Sequence, residues 1–257
     1  SDMTVLDYAK ADKYPDLETI YALCSGPGGL KLAEFLAEKL DIQAGKKLLD
    51  VGFNRGYQSC FLAKEYGCFV VGIDPWNDRE DGRPHVEHLM DNARTWGVED
   101  RVLGVQVGVP DTQFASSSFD YVYTSTALEM LRGMQGESAY REALAEIYRV
   151  LTPGSLLALG EPMHLDVELP ADLAPLVTQG DMPLVDFFAT VGETEEAVRA
   201  AGFEIIEAGY APDARLWWQE FARYDPGCRA DPEGEPRMIA VDNGRWLSFG
   251  FVIARKP

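Results

Sequence analysis

The 257-residue sequence predicts an α/β fold, a mostly parallel sheet with helices on both faces. Three observations predict it. Between residues 46 and 160, strand-length apolar runs alternate with stretches of helical periodicity. The run Phe69-Val70-Val71-Gly72-Ile73-Asp74 is apolar on both faces, as a covered parallel strand must be. Two strands end in an acid followed by a turn, Asp50-Val51-Gly52 and Asp74-Pro75-Trp76. Open α/β sheets hold ligands at such strand ends.

Taken in order, residues 3–23 mix apolar and charged positions and predict one or two short helices before the turn Ser25-Gly26-Pro27-Gly28-Gly29. Leu30, Leu32, Phe35, Leu36 and Leu40 recur at helical spacing, so about 28–41 is an amphipathic helix. A strand at 46–51 enters a glycine turn, a helix at 58–66 stops at Gly67, and the second strand covers 69–74. A helix at about 84–96 ends at Gly97. Strands follow at 101–107 and 119–123. A helix over 137–150 is closed by Thr152-Pro153-Gly154, and a fifth strand covers 155–160. The rhythm then breaks: 161–190 is an acidic, proline-bearing insertion. A helix at 193–201, a strand at 203–210, a second insertion at 212–243 and a last strand at 246–254 complete the chain. No linker separates two units, so one domain is expected over 1–257. Its core is about 28–160 plus 192–211 and 244–257, and its lid is 1–27, 161–191 and 212–243.

Lys and Arg number 23 and Asp and Glu 42, a net charge of −19, which argues against a phosphate backbone as partner. No run of about 18 apolar residues offers a membrane span. The N-terminus lacks a basic segment leading into an apolar run. Cys24, Cys60, Cys68 and Cys228 form no close CxxC pair. Reduced thiols in a cytoplasm are therefore expected. His85-x-x-His88 has a spacing open to metal, but no metal site is expected there. The oligomeric state carries no signal.

The sharpest motif is Asp50-Val51-Gly52-Phe53-Asn54-Arg55-Gly56, where a strand ends in an acid and glycines let the backbone approach a ligand. Asp74, 18 residues after Gly56, is placed to accept ribose hydroxyls. Singly, Asp50 reads equally as a helix cap and Asp74-Pro75 as a turn. Together with Phe119-Asp120-Tyr121-Val122 and Arg149-Val-Leu-Thr-Pro-Gly154, the ordered set resembles the motifs of class I S-adenosylmethionine-dependent methyltransferases. The resemblance is strong over about 45–160 and looser over the last two strands. Within that superfamily the chain is similar to the small-molecule, ubiquinone/menaquinone-biosynthesis-like group.

The resemblance implies a Rossmann-like seven-stranded sheet whose last strand is antiparallel, with S-adenosyl-L-methionine as cofactor and a small-molecule methyl acceptor. It implies that Asp50 holds the methionine ammonium and that Gly52, Phe53, Asn54 and Gly56 line the methionine and ribose. Asp74 would bind the ribose hydroxyls, Pro75 and Trp76 would pack on adenine, and Thr124 would face the methionine. Asn54 replaces the usual middle glycine. Val109, before Pro110, stands where an adenine-binding acid is common. Gly26-Pro27-Gly28-Gly29 precedes a helix N-terminus suited to the methionine carboxylate.

For the acceptor, a phenol, hydroxyl or acidic carbon needs a base, whereas a neutral amine does not. The candidates are Glu129, Glu161 and His164 at the ends of the fourth and fifth strands, His164 being equally a loop histidine. Tyr14, Tyr21, Trp217 and Trp218 are the aromatic candidates for contacting the acceptor, with one of the two tryptophans expected in the core. Two rivals are a nicotinamide-dependent oxidoreductase and a non-catalytic S-adenosylmethionine-binding protein. Gly52-x-x-x-Gly56 lacks the GxGxxG spacing of the first.

Overall fold

One sheet of seven strands runs through the computed structural model, which describes residues 3–257. In chain order the strands are β1 (Lys47–Val51), β2 (Phe69–Ile73), β3 (Val102–Val105), β4 (Phe119–Ser125), β5 (Leu151–His164), β6 (Glu204–Tyr210) and β7 (Leu247–Arg255). Across the sheet they run β3-β2-β1-β4-β5-β7-β6. The pairings from β3 to β5 are parallel. β7 enters antiparallel between β5 and β6. An all-parallel doubly wound sheet has no such insertion, so the expected last-strand arrangement is present.

The strand alternation covers both faces of the sheet. Leu48 and Tyr123 point into one core with Leu36, Phe61 and Phe249. Their neighbours Leu49 and Val122 point into the other, with Ile147 and Val252. The first core is closed by α2 (Gly29–Glu38), α3 (Tyr57–Tyr66) and α4 (His85–Trp96), after the short α1 (Leu17–Leu23). The second is closed mainly by α6 (Glu137–Val150), which follows α5 (Leu128–Gln135), and by α9 (Val191–Ala200). Between β5 and α9 lie two short helices, α7 (Ala174–Val177) and α8 (Leu184–Phe187). After β6 come α10 (Ala214–Tyr224), α11 (Pro226–Ala230) and α12 (Glu235–Asp242). Local chemistry sets several ends. Gly56 and Gly67 bracket α3 in left-handed conformations, and Thr190 with Glu193 forms a capping box on α9.

Two differences from the sequence reading bear on the site. β5 starts at Leu151 and runs to His164, so Thr152-Pro153-Gly154 lies within the strand. Its last four residues also belong to the sheet, which shortens the expected 161–191 lid segment. β4 pairs β5 only as far as Gly160, and beyond it β5 has β7 alone as neighbour. Pro162 stands on this one-sided stretch, where a missing N–H is tolerated. The second difference is α5, which places Glu129 on a helix rather than at a strand end.

The N-terminal strap is tied down from two directions. Asp213 accepts hydrogen bonds from Val5 N (2.6 Å), Leu6 N (3.2 Å) and the Tyr8 hydroxyl (2.6 Å). Glu34 on α2 accepts from the backbone N–H groups of Lys10 and Ala11. Ser1 and Asp2, the first residues of the expected lid, lie outside the described residues. Among the described residues no helix is long and apolar enough to cross a membrane.

Candidate active site

The turn from β1 into α3 holds three left-handed residues: Gly52 (φ 76°), Asn54 (φ 57°) and Gly56 (φ 83°). A Cβ on Gly52 would stand 2.5 Å from that of Ala127, and one on Gly56 would stand 2.2 Å from Leu89 Cδ1. Asn54 adopts the same region without glycine, as asparagine does at modest cost. The Asn54 N–H donates to Asp74 Oδ2 at 2.9 Å, and Trp76 N–H donates to Asp74 Oδ1 at 3.0 Å. His85 Nδ1 lies 3.1 Å from Asp74 Oδ1. One buried carboxylate thus fixes the glycine turn and the end of β2 together.

Arg55 locks the neighbouring loop. Its guanidinium donates to Asp78 (2.7 Å), Glu80 (3.1 Å) and the Ala22 carbonyl (2.9 Å). The Arg55 guanidinium beside Asp78 holds that carboxyl well below the usual range. Asp78, Asp81 and His88 gather ligand-type atoms within 4.8 Å of one another. Yet Asp78 already faces the guanidinium, and His88 Nε2 pairs with Asp81 at 2.8 Å. Of the HxxH pair, only His88 joins this group closely, since His85 turns toward Asp74.

A cavity of about 650 Å³ opens over the carboxyl ends of β1, β2 and β4. Gly52, Asn54, Asp74, Pro75, Trp76 and Val109 line one side. Tyr21, Cys24, Ser25 and Gly26 line the side under the strap. Glu129 lines it from α5, and Phe221, Asp225 and Glu235 from the lid helices.

The remaining cofactor candidates stand behind this wall. Asp50 is 2% exposed and accepts from the Ser59 hydroxyl at 2.5 Å, and burial pushes its carboxyl up to about 7. The Phe53 ring fills the space beside Gly72, where an added Cβ would meet it at 2.6 Å. Gly56 caps α3, and the Thr124 hydroxyl donates to Val51 O at 3.0 Å, tying β4 to β1. Pro110 is exposed beyond Val109.

Two of the three expected acceptor residues come together. Glu129 is 2% exposed, and its Oε2 has no hydrogen-bond partner. Behind it, Glu161 is 1% exposed, accepts from the Tyr140 hydroxyl at 3.1 Å and lies 3.6 Å from Arg132 Nη1. Arg132 also donates to Glu137 at 2.8 Å and lies 3.7 Å from the Tyr140 ring centroid. Burial pushes Glu161 up to about 7. Burial raises Glu129 well above the carboxylate range, and the charge of Glu161 adds to this. His164 does not join them. The longer β5 carries it past the cavity, where it stacks on Trp246 at 4.7 Å with Nδ1 2.8 Å from Leu165 O.

Of the aromatic candidates, Tyr21 lines the cavity. Tyr14 packs on Trp96 and Phe61 instead and donates to Glu65. Trp217 is wholly buried between Phe35 and Phe249, and Trp218 donates from Nε1 to Ser248 O at 2.9 Å. Both tryptophans anchor α10 to the body of the fold, because the apolar face of that helix turns inward. Arg55 was expected to add a contact beside Asn54 and lines the wall, whereas His85, Asp225 and Glu235 were missed as wall residues. The only local signal for His85 was its place after the second ligand-type turn.

Comparison with known proteins agrees with this architecture. Residues 49–159 match the family described as "Methyltransferase domain". Over 242 residues the chain is 29% identical to the 27-O-demethylrifamycin SV methyltransferase of Amycolatopsis mediterranei, covering 88% of this chain and 83% of that one. It is 32% identical over 148 residues to methyltransferase GfsG of Streptomyces halstedii, covering 58% and 48%. The chain thus spans about half the length of GfsG, as it does for several other curated relatives it matches. Among solved structures it is similar to the [4+2]-cyclase SpnF, with a TM-score of 0.73, 20% identity and coverage of 100% and 99%. It is also similar to geranyl diphosphate C-methyltransferase from Streptomyces coelicolor, with a TM-score of 0.68, 16% identity and coverage of 88% and 78%. Likeness at that identity speaks to the fold alone, and one of the two proteins is named for a cyclisation.

Proposed function

We propose that this chain is a class I S-adenosylmethionine-dependent methyltransferase that transfers the cofactor's methyl group to a small-molecule acceptor in the cavity over β1, β2 and β4. The observation that carries the reading is the joint anchoring of the glycine turn and the β2 end by Asp74.

The residues fit the cofactor. Asp74 lines the cavity wall, which suits it to the ribose hydroxyls. Trp76 is 42% exposed beside Pro75 and Val109 and offers an apolar surface for adenine. Ser25 and Gly26 present polar backbone to the methionine end. Asp50, set back from the wall, acts by fixing β1 to α3 through Ser59. When bound, the cofactor supplies an electrophilic methyl on a sulfonium. The protein orients the acceptor, keeps water out and moves one proton.

Glu129 is the proton acceptor in this reading. Its raised proton affinity makes its ionised form a stronger base than an exposed carboxylate. Glu161, held by Tyr140 and Arg132, adds its charge from behind. The four cysteines are unpaired and buried, which supports a reducing, cytoplasmic setting. The charge of −19 supports a partner other than nucleic acid.

Calorimetric titration with S-adenosylmethionine, S-adenosylhomocysteine and NAD tests the reading. Binding of the first two and not of NAD is expected. Binding of NAD alone overturns it. Cofactor binding without turnover on any acceptor leaves a binding protein.

A further inference from the structure

Charge is distributed unevenly around the cavity. Glu129 reaches its wall as a buried carboxyl whose Oε2 has no hydrogen-bond partner. The nearest cation, Arg132, is already engaged by Glu161, Glu137 and the Tyr140 ring. Across the cavity the lid presents Asp225 and Glu235, with Glu80 beside them. Desolvation raises both lid carboxyls, and the charge of Asp225 adds to the effect on Glu235. Of the two wall arginines, Arg55 is engaged by Asp78, Glu80 and a carbonyl, and Arg79 stands exposed at the rim. His85 is turned toward Asp74.

A phosphate or carboxylate brought into this space would meet the unpartnered Glu129 carboxyl and the lid acids Glu235 and Asp225, the latter accepting only from Cys228 N–H at 3.1 Å, and no free buried cation. A cation would complete what is unfinished. We infer that the methyl acceptor carries a basic amine, which enters as an ammonium and is received by Glu129. The inference rests on the methyltransferase reading and narrows its substrate class.

The chemistry balances without a further reagent. An N–H bond of the ammonium breaks, its proton passes to a Glu129 carboxylate oxygen, and its electron pair stays on nitrogen. That pair forms the new N–CH3 bond as the S–CH3 bond breaks, the electrons of the latter going to sulfur. The methylated nitrogen leaves as an ammonium, and Glu129 gives the one proton it took to water once the product has gone, which restores the carboxylate. A carboxyl with raised proton affinity takes the first proton more readily than an exposed one would.

The test uses the full chain saturated with S-adenosylhomocysteine and three matched probes: phenethylamine, 2-phenylethanol and phenylacetate. At pH 7 the amine should bind at least tenfold more tightly than either of the others. Glu129→Gln should reduce that preference below threefold while S-adenosylhomocysteine affinity, which reports folding, is kept. The double variant Asp225→Asn/Glu235→Gln should reduce it about threefold. The inference is overturned if the alcohol or the carboxylate matches the amine, if none of the three binds, or if the preference survives in Glu129→Gln. Failure of S-adenosylhomocysteine itself to bind would instead overturn the parent reading.

Discussion

The backbone N–H of Asn54 donates to the Asp74 carboxylate at 2.9 Å, joining the first strand's turn to the second strand's end. Removing that acceptor should act on ligand and protein alike. Asp74→Ala is expected to weaken S-adenosylhomocysteine binding by about 1.5–3 kcal/mol, the worth of a charge-assisted hydrogen bond. Calorimetry on the folded variant checks this, and unchanged affinity would refute the ribose assignment.

At Asn54 the backbone φ of 57° decides what else is tolerated. Asn54→Gly should leave the melting temperature nearly unchanged. Asn54→Val should cost about 1–2 kcal/mol, since a β-branched residue resists the left-handed region. A denaturant melt of both variants separates this strain from any loss of side-chain contact.

Asp50 predicts a pH-dependent stability. Burial raises its folded pKa from 3.8 to about 7, so the native state holds a proton that the unfolded chain releases. Its stabilising contribution is full below about pH 4 and is lost as pH rises through about 7. Asp50→Asn keeps the shape and removes that loss. The variant should gain on the order of 2–4 kcal/mol over the parent at pH 8 and little at pH 4. Equal differences at both pH values would sink the prediction.

The two lid tryptophans and His164 should behave as structural residues. Trp217→Ala empties a site between Phe35 and Phe249 and should cost about 3–5 kcal/mol. His164→Ala should leave kcat within about twofold, whereas Glu129→Gln should lower it at least a hundredfold. Steady-state kinetics on the first amine acceptor found checks the contrast.

Much of this arrangement was legible in the sequence. The sheet was readable because parallel strands are apolar on both faces and glycines mark their ends. Gly52, Asn54, Asp74 and Trp76, which line the cavity, were singled out because ligand turns in such sheets fall at fixed places along the chain. The acceptor side was harder. Nothing in local periodicity distinguishes the core face of α10 from its cavity face, so one of Trp217 and Trp218 was expected at the wall, a place that Phe221 takes. His164 was misplaced because Pro162 reads as a strand end, although β5 continues once β4 drops away. Asp225 and Glu235 reach the cavity only through the packing of three lid helices, a tertiary fact with no short-range trace.

The clasp on Asp213 has a consequence for biosynthesis. Val5 and its acceptor are separated by 208 positions. During translation the opening residues therefore wait, unclasped, while β1 to β6 emerge from the ribosome. A nascent chain can assemble the floor that holds the glycine turn long before it can roof it. A product lacking the segment from Asp213 onward would leave Val5, Leu6 and Tyr8 without their shared acceptor and the cavity without Phe221, Asp225 and Glu235.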